Sequence, residues 1–523
     1  MKLTDSILGR NNLKHFVHTP NGADGVIVAN FYKSLESVFS ENETRTALML
    51  TDRNDWSYFD LSNRVNEIAA VLLNRDVRVG DRVSVQVEKS PEALALYLAV
   101  LKIGAVHVPL NTAYTDMEVD YFIKDSEPAL FVGKSIRSDC DSLTLSDSGL
   151  EGSLIEQLNS SLEAVDPVET ATLADDALAA ILYTSGTTGL SKGAMLTHRN
   201  IESNAVSLCE CWGWHRDDVL LHALPIFHVH GLFISSHCAL LNGSSMIWLP
   251  KFEVEQVFSA LAASTVLMGV PTFYTRLLNH PGLTQEYVEN IRVFISGSAP
   301  LTEQTFNQWE NATGQRILER YGMSETIINT SNPLLGDRVA GSVGFSLPGQ
   351  EVRITGDDGS VLNHGDIGNI EVRGPNVFSG YWKKPEKTAE EFRENGFFIT
   401  GDLGRQDEDG RVYIVGRSKD LIISGGYNVY PKEVEQVLDQ MEQIDESAVI
   451  GVPHADFGEA VVAILISKTA EKPSLETLRE FLGERLARFK QPKQIVYVDE
   501  LPRNTMGKVQ KNILRERYTE LLT

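Results

Sequence analysis

Short β-branched runs alternate with amphipathic helical segments along most of this chain, which restricts it to layered α/β architectures with parallel strands. The runs at 81–88 (DRVSVQVE), 129–133, 246–250, 266–271 and 292–296 predict strands. One helix is marked at both ends. Ser90 is its N-cap, Pro91 its first residue, Leu94, Leu96, Leu98 and Leu101 its apolar face, and Gly104 its stop. Residues 135–176, rich in Ser, Asp and Glu, read as a surface excursion with a helix near 153–160. The texture changes after residue 416. A strand-like LIIS, a Gly425-Gly426 turn, a helix from Pro431 and paired strands near 447–452 and 460–467 predict an antiparallel α+β unit. The fold class is thus α/β, with a large N-terminal layered domain (1–416) and a small α+β C-terminal domain (417–523).

Charge narrows the partners. Against 71 Asp and Glu stand 47 Lys and Arg, a net −24 that disfavours nucleic acid. Residues 484–517 reverse the sign, with nine Lys/Arg against four Asp/Glu, so this segment either meets something anionic or is a solvated basic face. Cys140, Cys209, Cys211 and Cys238 are too few and too irregular for a disulfide framework, which suits a reducing, cytoplasmic compartment. Cys209, Cys211 and His215 lack the second spaced pair that a zinc site requires. The most apolar stretch, 231–249, is interrupted by Ser235, Ser236, His237, Asn242, Gly243, Ser244 and Ser245, which predicts a buried helix and strand and no membrane span. The opening MKLTDSILGRNNLKHF lacks the apolar core of a secretory signal.

The chemistry is densest at Tyr183-Thr184-Ser185-Gly186-Thr187-Thr188-Gly189-Leu190-Ser191-Lys192-Gly193. Its glycines let backbone N–H groups converge on phosphate oxygens, its hydroxyls add neutral donors, and Lys192 adds charge. The spacing differs from a Walker A loop, and Ala194-Met195-Leu196 after it reads as extended, not helical.

This loop closely resembles the phosphate loop of the adenylate-forming acyl-CoA synthetases. The resemblance continues in order through HALPIFHVHG (222–231), ISGSAPL (295–301), YGMSET (321–326), TGDLG (400–404), GRSKDLIISGGYNVYPKEVE (416–435) and PRNTMGKVQK (502–511). It implies two steps: a carboxylate attacks the α-phosphorus of ATP to give acyl-AMP and pyrophosphate, and the thiol of coenzyme A then displaces AMP. A carboxylate is already ionised at neutral pH, so the first step needs charge neutralisation and alignment, not a general base.

By the same resemblance Thr184–Gly189 and Lys192 hold pyrophosphate, Glu325 ligates Mg²⁺ and Thr326 contacts the α-phosphate. Tyr321 stacks on adenine, Asp402 binds ribose with help from Arg417, and Ser298, Ala299, Glu319, Gly322, Met323 and Ser324 line the nucleotide pocket. Lys508 bridges the carboxylate and the α-phosphate. The resemblance also implies a mobile C-terminal domain, which turns about a hinge at Lys419, withdraws Lys508 and brings Ser424, Gly425 and Gly426 to the coenzyme A channel. Acetylation of Lys508 by a lysine acetyltransferase, reversed by a deacetylase, would remove its charge.

Within the family, HALPIFHVHGLF, LMGVPTFYTRLL, ERYGMSET, GVPHADFGE and PRNTMGKVQKNILR resemble the branch that uses malonate. A dianion needs a cation for its second carboxylate, ideally a guanidinium. Arg276, closing VPTFYTR, is the candidate, with Ser296 and His230 adding hydrogen bonds and His228 at the gating position. Methylmalonate differs by one methyl and is weakly discriminated. Three other readings are a ligase for another small or medium-chain acid with Arg276 facing away, an amino-acid-loading domain, and a noncatalytic nucleotide-binding regulator. The amino-acid reading lacks an acidic partner near His228-Val229-His230, and the regulator has no use for Lys508.

Overall fold

The apolar runs form strands where their composition predicts them. A computed structural model describes residues 30–160, 166–184, 191–454, 457–483, 485–504 and 507–522. Six strands form a first sheet in the spatial order Ser142–Thr144, Leu130–Gly133, Arg82–Gln86, Val106–Pro109, Leu178–Thr184, Lys192–Thr197. All its pairs are parallel except the last, in which Thr184 faces Lys192 across an antiparallel ladder. A second, nine-stranded sheet is built around Ser245–Trp248, Val219–His222, Val266–Gly269, Val293–Ser296 and Leu318–Tyr321, parallel neighbours in that order.

The signposted helix is Pro91–Lys102, and the Ser90 side chain accepts from the Ala93 N–H. An N-cap of this kind contributes about 1 kcal/mol. All twelve of its residues are buried, so it is a core helix and not a one-sided cover. Its two charges are neutralised in place, Glu92 by Arg53 at 2.8 Å and Lys102 by Glu36 at 2.7 Å. The Ser/Asp/Glu-rich excursion carries the helix Ser153–Ser160. Residues 230–249 form the helical turn His230–Ser236, the helix His237–Leu241 and the strand Ser245–Trp248, all buried. The first of these is a π-helix, which periodicity did not announce.

A third, antiparallel sheet orders Glu351–Thr355, Gly368–Arg373, Phe398–Gln406 and Val412–Arg417. The smaller C-terminal domain follows. Its sheet pairs Ile444–His454 with Gly458–Ser467 antiparallel, and carries Ile422–Ser424, Tyr427–Val429 and Gln494–Tyr497. Its apolar clusters begin at Ile422, whereas those of the large domain end at Ile414. Among the described residues no helix is long and apolar enough to cross a membrane.

Candidate active site

The phosphate-loop candidate hangs between two paired strands. Leu178–Thr184 leads in, Lys192–Thr197 leads out, and the Thr184–Lys192 pairing closes its base. Ser185, Gly186, Thr187, Thr188 and Gly189 lie outside the described residues. The Thr184 hydroxyl donates to Glu325 Oε1 at 3.3 Å, which brings the loop base to the YGMSET segment. Glu325 is buried, and burial pushes its carboxyl up. Lys192, expected to hold phosphate directly, has its ammonium engaged inside the protein, 2.9 Å from Glu391 and 4.0 Å from the centre of the Tyr381 ring.

YGMSET owes its course to glycine. A Cβ on Gly322 would stand 1.9 Å from the Ile327 carbonyl oxygen, so no other residue fits. Ile327 has φ +57 and Ser298 φ +71, two strained positions flanking the site. Thr326 is fully buried and its hydroxyl has no partner, as suits a donor kept for a ligand. Met323 and Ser324 are half-buried beside it, and Ala299 follows Ser298. Glu319 is buried, with Oε1 unpartnered, and desolvation pushes its carboxyl up to about 8.

Asp402 and Arg417 face each other across the antiparallel ladder, with Arg417 Nε 2.7 Å from Asp402 Oδ1. The other oxygen, Oδ2, accepts from the Tyr321 hydroxyl at 2.5 Å. The loop carrying Lys508 reaches the same place. Burial, and then Arg417, depress the ammonium to about 8, against Asp402 and Asp420, which act to raise it. Lys419, on the short turn Ser418–Asp420, is lowered by its own burial and feels Asp420, Arg417, Arg515 and Asp402. Gly425 (φ +59) and Gly426 (φ +82) turn the hairpin after the buried Ser424, and the Gly425 N–H donates to the Phe457 carbonyl at 2.9 Å.

At the acyl end the structure offers a second, buried cation besides the Arg276 expected from the sequence. Arg276 is exposed on the helix Pro271–Leu278, its guanidinium 6.0 Å from the Phe252 ring, because Phe273, Tyr274 and Leu277 take the buried face. That cation is Arg320, one residue before Tyr321. Its guanidinium passes so close to Gly297 that a Cβ there would lie 2.5 Å from Cζ. Its Nε and Nη2 have no partner. Burial lowers its pKa, yet a guanidinium keeps its charge at neutral pH. Around it stand His228, held down to about 4 by burial and then by Arg320, and the buried His230, lowered by the same causes. His230 Nδ1 is 3.2 Å from Ser298 Oγ, and its Nε2 is free. Ser296, fully buried with an unpartnered hydroxyl, lies on the neighbouring strand. An unpaired buried guanidinium among unsatisfied donors is costly unless an anion completes it. No sequence signal marks Arg320; the parallel pairing of Ser296 with Glu319 is what brings the following residue beside this segment.

For Mg²⁺ the residues present fit. A buried carboxylate and a hydroxyl, Glu325 and Thr184, offer the hard oxygen donors this ion prefers.

Residues 35–382 match the family model described as AMP-binding enzyme, and residues 433–508 match the AMP-binding enzyme C-terminal domain. The malonate–CoA ligase of Arabidopsis thaliana is 35% identical, with 92% of this chain and 88% of that protein aligned. A long-chain-fatty-acid–CoA ligase of Bacillus subtilis is 32% identical over 98% and 97%. Among solved structures, ATP-bound MatB from Rhodopseudomonas palustris is 50% identical, covering 95% of this chain and all of that one, with a TM-score of 0.91. The apo form of the same protein superposes at 0.81.

Proposed function

This chain belongs to the family of AMP-binding enzymes, and from that premise we propose that it is an AMP-forming ligase joining malonate to coenzyme A through malonyl-AMP. The observation that carries the choice of acid is Arg320, buried beside His228, His230 and Ser296 with two nitrogens unpaired. A monocarboxylic acid would leave that guanidinium desolvated and unmatched, whereas malonate supplies a second carboxylate. Arg276 acts from the exposed rim of the helix Pro271–Leu278.

In the first step the other carboxylate attacks the α-phosphorus. One P–O bond forms, the bond to the pyrophosphate oxygen breaks, and two anions must be brought together. Lys508 supplies the mobile positive charge between them, and Thr326 donates to the α-phosphate. Asp402 and Arg417 set the ribose, Tyr321 stacks on the adenine, and Glu319, Ser298, Ala299, Gly322, Met323 and Ser324 wall the nucleotide. Thr184 and the loop after it hold the pyrophosphate. Glu325, with Thr184, would hold Mg²⁺, which when bound offsets phosphate charge. In the second step the thiol sulfur attacks the acyl carbon, AMP leaves, and the thiol proton is released to solvent.

The higher superposition on the ATP-bound relative than on its apo form supports reading the present arrangement, with Lys508 inward, as the one for the first step. We divide the chain at 416/417, with Lys419 as the hinge, so that rotation carries Lys508 away and brings Ser424, Gly425 and Gly426 to the thiol. The protein is taken to be cytoplasmic, and acetylation of Lys508 is a means of silencing the first step, readable by intact mass before and after deacetylation.

The test is AMP release with ATP, Mg²⁺ and coenzyme A across malonate, methylmalonate, acetate, succinate, butyrate and octanoate. Malonate should have the highest kcat/KM, with methylmalonate next. Preference for butyrate or octanoate would favour the second reading, a ligase for another small or medium-chain acid, to which the Bacillus relative lends weight.

A further inference from the structure

Beside the strand Lys192–Thr197 lies a polar relay that no motif announced. The segment after Pro375 runs along the return strand of the loop: Ser379 N–H donates to the Met195 carbonyl, Met195 N–H to Gly380 and Trp382 N–H to Gly193. Phe378 N–H donates to the carbonyl of Glu325 itself. This backbone seam delivers the Tyr381 hydroxyl between two carboxylates, 3.1 Å from Glu325 Oε1 and 2.7 Å from Glu391 Oε2. Glu391 ends the helix Pro385–Glu391, and its Oε1 is 2.9 Å from Lys192 Nζ and 3.2 Å from Lys387 Nζ. Lys192 also rests on the face of the Tyr381 ring.

We propose that Tyr381 and Glu391 are positioning residues for the acyl-AMP half-reaction: through the Tyr381 hydroxyl they set the direction of the Glu325 carboxylate, and Lys192 anchors the relay through Glu391. This rests on the ligase reading and deepens it. A phenol has one proton, and two carboxylates compete for it. Rotation of the hydroxyl lets it donate to Glu325 Oε1 at 3.1 Å or to Glu391 Oε2 at 2.7 Å, so Glu391 fixes the phenol from which Glu325 receives its hydrogen bond. Thr184 donates to the same Glu325 oxygen, Oε1, from the loop side. Glu325 is thereby held at Oε1 from both the loop base and the relay, which fixes the direction its carboxylate presents to a cation. Partners of this kind orient metal-binding carboxylates, and their loss weakens metal affinity by about 10-fold or more. Lys192 gives the relay its charge balance, because an unpaired Glu391 beside Glu325 would repel it.

The experiment uses the full-length protein with Glu391→Gln, Tyr381→Phe and the double variant. Three quantities are read: calorimetric binding of Mg²⁺ with a non-cleavable ATP analogue, malonate-dependent ATP–pyrophosphate exchange, and conversion of supplied malonyl-AMP and coenzyme A to thioester. Each single variant should weaken analogue binding in Mg²⁺ by about 10-fold, with little effect in its absence. Exchange should fall in step while thioester formation stays within twofold. The double variant should be no worse than the worse single, because both act through one contact. Tyr381→Phe keeps the ring beneath Lys192, so a loss there isolates the hydroxyl. Unchanged analogue binding, additive losses, or equal loss of both half-reactions would overturn the proposal. If the wild type binds the analogue but shows no malonate-dependent exchange, the ligase reading itself fails, which the variants do not decide.

Discussion

Gly507 sits against Thr272: a Cβ at Gly507 would lie 3.2 Å from the Thr272 hydroxyl oxygen. Thr272 belongs to the first turn of the helix Pro271–Leu278 in the large domain, and Gly507 precedes Lys508 in the small one. The contact therefore sets where Lys508 enters the site. Gly507 also has φ +73, which costs any other residue about 1 kcal/mol or more.

Gly507→Val should accordingly slow malonyl-AMP formation by about 10-fold and leave thioester formation from supplied malonyl-AMP unchanged. Lys508→Ala should reduce the first step by about 100-fold or more, again sparing the second. Half-reaction assays check both. Equal loss in both steps would mean that the loop supports the fold and not the chemistry.

Because Lys508 is held down to about 8, its ammonium is lost as pH rises through that value. The first step should therefore decline on the alkaline side, and Lys508→Arg should lack this limb, since a guanidinium does not deprotonate there. A pH–rate profile of ATP–pyrophosphate exchange reads the difference.

Arg320→Met should lower kcat/KM for malonate by about 100-fold or more, because the second carboxylate would be buried without a cation. Arg276→Ala, at the exposed rim, should act mainly on KM and by a smaller factor. ATP-analogue binding should be unaffected in both. Equal effects of the two substitutions would place the clamp at the rim instead.

Among the described residues, five buried histidines and the half-buried His228 bear on acid stability. Burial holds His107 and His237 at about 3 and His198 and His228 at about 4, with His222 and His230 lowered as well. The unfolded chain takes up these protons below about pH 6.5 while the native one does not. Each such histidine therefore removes about 1.4 kcal/mol of stability per pH unit as pH falls from about 6.5 toward its folded value. Glu319, raised to about 8, acts in the opposite sense between about 4.5 and 8. A variant isolates one histidine: the urea stability of His107→Gln relative to wild type should improve as pH falls from 7.5 to 5.5. A constant difference would mean that His107 takes up its proton alike in the folded and unfolded chains.

Lys89 is a buried lysine with no carboxylate partner among the described residues, and burial pushes its ammonium well down. Its three donors go to His222 Nδ1, the His222 carbonyl and the Leu249 carbonyl, each at 2.7 Å, and the Trp248 ring lies 4.2 Å away. Lys89→Met would strand these acceptors, at about 1–3 kcal/mol each for those left dry. A drop in urea midpoint of at least about 2 kcal/mol equivalent is expected, and no change would mean that water replaces the ammonium.

Much of this protein was decided locally and was therefore legible in its residues. The strands followed β-branched runs, and the helix Pro91–Lys102 followed its cap, its proline and its stop. The antiparallel hairpin pairing Asp402 with Arg417 is likewise a short-range event. The nucleotide residues travel in short blocks whose backbone course demands glycine, as Gly322 under the Ile327 carbonyl does. What the tertiary structure alone decided is which charged groups are buried and whom they meet. Arg276 and Arg320 are equal as residue types. One falls on the solvent side of its helix, and the other is carried by a parallel strand over Gly297 into the buried interior. Lys192, a phosphate ligand by its motif, also pairs with Glu391, 199 residues away, a partner its motif does not announce. The physical reason is the same in both cases: periodicity and turn chemistry act over a few residues, whereas desolvation and ion pairing depend on which surfaces the folded chain presses together.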